Sequence, residues 1–188
     1  MKFKELSTEQ QVKAIEVYRH INVDDDWDDY LREDLQNRMA EYGFDDIEIS
    51  ADTSFSQGSG ASFTCDNIDL IKYLTKTKQL TKYRKIKELI VERECTGKIE
   101  RIDHHYNHYN TIDCNIKASY YNQVTEVQED LICKMQHDII EFVRQECRDF
   151  HRQLENDYLN NISDESVRQA IIDNNYDFAV KDTNVTYL

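Results

Sequence analysis

The sequence predicts an α+β fold: a mainly antiparallel sheet of two hairpins packed against several helices, one of them long and in the C-terminal half. Three observations carry this prediction. Apolar and polar residues alternate on either side of a Gly-x-Gly corner in residues 47–66, and a second alternating pair occupies residues 98–105 and 112–121. From Val127 to Tyr158 the apolar residues instead recur in steps of three and four. Two boxes, Ser7-x-x-Gln10 and Thr125-x-x-Gln128, mark helix starts by satisfying free N–H groups of a first turn. At 188 residues, a single α+β domain over 1–188 is the simplest organisation.

Taken in order, residues 2–6 read as a short strand around Phe3 and Leu6. Ser7 opens a helix whose buried stripe is Val12, Ile15, Tyr18 and Ile21. One of Asp24, Asp25 or Asp26 caps a second helix, where extra carboxylates suit the positive helix end. Trp27, Tyr30 or Leu31, Leu35 and Met39 form its apolar side, and Gly43 stops it at C′. The first hairpin alternates Ile47, Ile49 and Ala51, turns at Gly58-Ser59-Gly60, and returns through Ala61, Phe63 and Cys65.

Asn67 is the expected cap of a third helix running to about Glu94, with a break near Thr81 where threonines weaken it. Gly97 is expected to end that segment. The second hairpin follows, joined by a loop at Tyr106–Asn110. The long helix then carries Leu131, Met135, Ile139, Phe142 or Val143, Cys147, Phe150, Leu154 and Tyr158, about 50 Å at 1.5 Å per residue. Ser163 caps a last helix with Val167, Ala170 and Ile171 inward, and residues 176–188 are placed as an edge strand.

Composition narrows the function classes. The net charge of −14 repels DNA, RNA and anionic lipid and attracts basic partners. Charge is segregated: residues 24–52 hold twelve Asp and Glu against two Arg, whereas residues 67–121 hold eleven Lys and Arg against seven acids. No apolar run reaches membrane-span length and no signal-peptide core opens the chain, which points to the cytoplasm. Five cysteines, an odd number with no Cys-x-x-Cys pair, fit a reducing compartment. Twelve tyrosines argue for a folded chain, and some could line a surface that meets a partner.

Each candidate site has a plain structural alternative. Asp24, Asp26 and Asp28 have the spacing that opens an EF-hand loop, but Asp29 and Leu35 stand where that loop needs Gly and Glu. The run Asp24, Asp25, Asp26, Trp27, Asp28 and Asp29 is better read as a helix start with a solvated acidic face, and it is the first choice for a partner-binding surface. His104, His105 and His108 are a metal-site alternative that needs a further ligand such as Asp103, Asp113, Cys114 or His137; an exposed polar hairpin is the simpler reading. Gln57, Gly58, Ser59 and Gly60 are read as a structural turn, too short and differently spaced for a phosphate-binding loop. Cys133 with His137, and Cys147 with His151, share a one-turn spacing that a nucleophile pair uses, but amphipathic-helix cysteines are usually core. The basic stretch Lys72–Lys87 could face phosphates or serve as an internal counter-surface. No catalytic triad and no cofactor motif is present, so no catalytic residue and no cofactor is expected.

Trp27, the block Ser54-Phe55-Ser56-Gln57-Gly58-Ser59-Gly60-Ala61-Ser62-Phe63, then Leu154-Glu155-Asn156-Asp157-Tyr158, Ser163-Asp164-Glu165 and Asn174-Asn175-Tyr176-Asp177-Phe178 occur in an order that resembles a family of small acidic phage and prophage proteins catalogued as antitoxins of a toxin–antitoxin stability system. The chain departs from that family at Ser59, where Asp is usual between the glycines, and after Phe178, where Ala179-Val180-Lys181-Asp182 replaces a Thr-Glu-Asp-Gly ending. The resemblance implies a phage context and an inhibitory role. With the charge, it gives the expected function: a non-enzymatic inhibitor in the host cytoplasm that neutralises a bacterial toxin or a defence nuclease, such as a CRISPR effector, by occupying its basic surface in place of nucleic acid. Direct nucleic-acid binding through Lys82, Arg84 and Lys85, and a metal-dependent enzyme using the histidines, are the alternatives.

Overall fold

The structure, a computed structural model, describes residues 1–24, 26–92, 95–118, 124–181 and 184–187. Internal contacts divide the chain into two compact units: a larger one of residues 30–153, and a smaller one of residues 1–29 with 154–188.

The larger unit carries the expected sheet. Helix α2 (Asp29–Glu41) leads into β1 (Glu48–Asp52), which pairs antiparallel with β2 (Gly60–Ile68) in the register Ile49 to Phe63 and Ala51 to Ala61. β3 (Cys95–Arg101) and β4 (Ile112–Ala118) form the second hairpin, and the four strands lie in the order β1-β2-β3-β4. Alternation is clean in β4, where Ile112, Cys114 and Ile116 are buried and Asp113 and Lys117 exposed. α2 ends as expected, with Gly43 at φ 91° in the position after the cap.

The long helix is α5 (Glu126–Asn161), opened by the reciprocal Thr125–Gln128 box. Its buried side chains include Ile132, Met135, Ile139, Val143, Cys147 and Phe150. Each apolar side chain fully buried there contributes about 1.5–3 kcal/mol. α5 lies across the sheet: Gln136 Nε2 donates to the Cys114 carbonyl (3.1 Å), Arg144 to the Ile112 carbonyl (3.2 Å), and the His151 ring meets the Asp52 carbonyl (3.1 Å). Between them sits an aromatic cluster in which Phe44 contacts Phe63, Tyr73 and Phe142 at centroid distances of 5.9–6.1 Å. Tyr73 and Tyr83 are therefore core residues, not surface anchors.

Several local expectations are corrected. The helix cap is Asp69, whose carboxylate accepts the Lys72 N–H at 2.9 Å, because β2 runs on to Ile68 and takes Asn67 into the strand. The expected break near Thr81 into two helices is present: α3 (Leu70–Lys76) and α4 (Lys87–Val91) are separated by a stretch with Lys78 at φ 60° and a 3₁₀ turn at Arg84–Ile86. Gly97 ends no helix; it lies inside β3, where a Cβ would stand 3.1 Å from Leu70 Cδ2. β3 stops at Arg101, so His104 and His105 are in the loop, not on a strand. Glu94 and residues 119–121 of the expected elements lie outside the described residues.

The smaller unit buries Phe3, Leu6, Ala14, Ile15, Val167, Ile171 and Phe178 together. It contains α1 (Thr8–Val17), opened by the Ser7–Gln10 box, and α6 (Asp164–Asp173), capped by Ser163. Residues Phe3–Glu5 form a 3₁₀ turn in place of the expected strand. A strand would send Phe3 and Leu6 to opposite faces, whereas a turn of three residues lets both reach one core. The two chain ends meet: Phe178 N–H donates to the Met1 carbonyl (2.8 Å) and Lys2 pairs with Asp177 (2.8 Å). The tail forms its own hairpin, β5 (Phe178–Lys181) with β6 (Asn184–Tyr187), and adds no strand to the four-stranded sheet.

Candidate functional site

The two hairpin tips of the larger unit meet at one end of its sheet. Gly58 lies under the Tyr106 ring, where a Cβ would stand 2.5 Å from Tyr106 Cδ1, and its φ of 146° also excludes most side chains. At Gly60 a Cβ would stand 2.9 Å from the Asn107 carbonyl oxygen and 3.0 Å from His108 Cα. The Gly-x-Gly pair is thus fixed by the approach of the second hairpin's loop. Ser59 Oγ accepts the Ser56 N–H at 3.0 Å, and Ser54 Oγ lies 2.8 Å from Ser56 Oγ and 3.0 Å from Ser59 Oγ. A carboxylate between the glycines could accept that same N–H, so serine preserves the turn. Gln57, Ser59, Asp103, Tyr106 and His108 line an open cleft of about 390 Å³.

Of the three loop histidines, only His108 is fixed from several sides. Its Nδ1 accepts the Asn110 N–H (3.2 Å), its ring lies 3.9 Å from that of Tyr109, and Arg148 stands over the Tyr109 ring at 4.8 Å. Burial, with His151 and Arg148 nearby, holds His108 below the ordinary histidine range. His104 and His105 are exposed. Among the described residues, no group of three or more His, Cys, Asp or Glu is arranged to hold a metal ion. Cys133 is exposed; Cys147 is buried and its thiol is pushed up to about 12 by burial, so it is no ready nucleophile.

The Asp24–Asp29 run divides. Asp24, Asp26 and Asp29 are exposed, Asp28 is buried, and Trp27 is half-buried with its ring 5.9 Å from Tyr158, edge to face. Asp25 lies outside the described residues. The basic stretch is partly neutralised at home: Lys76 pairs with Glu41 at 2.7 Å and Lys82 with Asp138. Asp138 also accepts the Tyr83 hydroxyl at 2.7 Å. Burial pushes the Asp138 carboxyl up, but Lys82 and Tyr83 together outweigh it and hold the group below the usual carboxylate range.

A second acidic surface, in the larger unit, was not singled out by sequence spacing. Asp45 and Asp46 precede β1, and Asp66 and Asp69 stand at the end of β2 and just beyond it. All four are exposed, as is Glu48. Cys65 marks where they converge: its Sγ donates to the Asp45 carbonyl (3.4 Å) and the Asn67 carbonyl (3.1 Å). Burial above all, then the carboxylates of Asp45, Asp66 and Asp46, raise its thiol pKa. Among the described residues, the carboxylates of Asp45, Asp46, Glu48 and Asp66 take part in no ion pair or hydrogen bond. Beside them Asp45, Asn67 and Asp69 rim a cleft of about 500 Å³ whose floor includes Ile68, Leu70 and Ile90. The usable signal was six Asp and Glu with no Lys or Arg across residues 45–69, which the hairpin alternation masked.

A family model described as a domain of unknown function (DUF8835) matches residues 27–164, a span that contains the larger unit whole. No curated protein and no solved structure matches the chain. Among the described residues no helix is long and apolar enough to cross a membrane.

Proposed function

The chain belongs to the DUF8835 family, and we propose that it is a non-catalytic binding protein that occupies a basic surface on a bacterial host protein, a toxin or a defence nuclease, and so neutralises it. The observation that carries this reading is the convergence of exposed carboxylates, Asp45, Asp46, Glu48 and Asp66, without a cation paired to them among the described residues. Such a field steers a cationic partner and competes with nucleic acid for its basic groove. The net charge of −14 and the resemblance to phage antitoxin-type proteins support it, and the setting proposed is the host cytoplasm. The interface proposed here is Asp45–Asp69 in the larger unit; exposed Asp24, Asp26 and Asp29 are a separate acidic patch of the smaller unit. Trp27, half-buried with its ring 5.9 Å from Tyr158, stands beside that separate patch.

Capture of host proteins on immobilised protein tests the reading. Wild type is expected to retain a basic protein at low salt and release it as salt rises. Asp45→Lys, Asp46→Lys and Asp66→Lys together are expected to abolish retention, while Glu88→Lys, Glu129→Lys and Glu165→Lys leave it intact. Equal retention by both triple variants would overturn the reading.

A further inference from the structure

The two edges of the four-stranded sheet are finished differently. On β4 the outward carbonyls of Ile112 and Cys114 are taken by Arg144 and Gln136 of α5. On β1, among the described residues, the one hydrogen bond to its backbone from outside β2 is that of His151 to the Asp52 carbonyl, at the strand's last residue. An antiparallel edge strand turns half its N–H and C=O groups away from its neighbour, and native edges are usually blunted by charged residues, lysine above all, by proline or by a bulge. β1, Glu-Ile-Ser-Ala-Asp, has no lysine, proline or bulge, and its only charges are the carboxylates at its two ends; its register with β2 is unbroken over five residues, about 17 Å.

Charge decides what fits this edge. Exposed Asp45, Asp46 and Glu48 lead into it and Asp52 closes it, with no lysine or arginine between. A second copy pairing antiparallel would set Glu48 against Asp52 and oppose like charges. An extended segment with lysine or arginine at alternate positions would pair its charges instead and supply the missing backbone partners. We infer that β1 is a docking edge that receives an extended, lysine- or arginine-bearing segment of the partner protein as a fifth strand. The inference rests on the acidic-surface reading above and gives it a binding mode.

The test titrates the isotope-labelled full chain with an acetylated, amidated Lys-Val-Lys-Val-Lys-Val-Lys peptide. Its backbone N-methylated counterpart and a Glu-Val version are run alongside. The Lys-Val peptide is expected to shift the amide resonances of Glu48–Asp52 and slow their hydrogen exchange. N-methylation, which removes backbone donors, is expected to weaken binding about tenfold or more. Glu48→Lys is expected to weaken it about fivefold, and the Glu-Val peptide should not bind. Equal binding of the N-methylated peptide, with shifts at Asp45, Asp46 and Asp66, overturns strand addition and leaves the acidic-surface reading standing, whereas shifts confined to Asp24–Asp29 overturn both. Failure of every basic peptide to bind overturns both. A concentration-dependent dimer that buries β1 assigns the edge to a second copy and overturns the inference.

Discussion

Gly58 and Gly60 look alike in the sequence but are constrained by different neighbours. Gly60 faces backbone, the Asn107 carbonyl and His108 Cα, which cannot step aside without moving the loop. Gly58 faces an exposed tyrosine ring that can swing away, and its cost lies more in its φ. Gly60→Ala is therefore expected to destabilise by about 1–3 kcal/mol, with no rescue by Tyr106→Ala. Gly58→Ala is expected to be partly rescued by Tyr106→Ala, leaving about 1–2 kcal/mol for the strained backbone. Urea unfolding of the four variants measures this directly. Asp138 makes a second residue-scale case. Its loss strands the buried Tyr83 hydroxyl, so Asp138→Ala is expected to cost about 2–3 kcal/mol and Asp138→Asn, which keeps an acceptor, less. Adding Tyr83→Phe to Asp138→Ala should recover part of the loss, and no recovery would show that the hydroxyl is not the reason. Neither contact is visible in local spacing, because Tyr83 and Asp138 are 55 positions apart.

At the scale of elements, the loop between β3 and β4 is tied to α5 through a titratable group. His108 Nδ1 accepts the Asn110 N–H, with Arg148 and His151 of α5 nearby, so protonation removes an acceptor and adds charge beside a cation. Its native pKa lies below the unfolded value of 6.5. The unfolded chain then binds the proton first as pH falls, so the stability this group contributes is present above 6.5 and is lost as pH falls through the lowered native value. His108→Gln is expected to flatten that part of the profile, and urea midpoints between pH 8 and 5 check it. The elements legible in the sequence were those set by neighbours close in the chain. The Ser7, Thr125 and Ser163 caps, the stop at Gly43 and the long period of α5 all follow from contacts within one turn or one face. Those misplaced depended on distant partners. Asn67 is claimed by the pairing of Ile68 with Gly97, Gly97 by the packing of Leu70, and the opening turn by the core that Phe3 and Leu6 share with Phe178.

At the scale of the whole molecule, excess charge is the property that most restricts function. Twelve acids against two arginines in residues 24–52 were plain from composition, but which of them stay unpaired was not. Asp34 is drawn to Arg38, Glu41 to Lys76, and Asp52 to the Ser54 N–H, while Asp45, Asp46 and Glu48 have no such partner among the described residues. The surface that remains lies within the span shared with the DUF8835 family, and it belongs to the unit that holds the sheet. The most direct measurement is a hydrogen-exchange footprint of the protein bound to the basic host protein it captures. Protection is expected over residues 45–52 and 66–69, with little change at the hairpin tips. Protection confined to residues 24–29, or to the loop residues 54–60 and 104–110, would contradict the assignment of the acidic surface as the binding site.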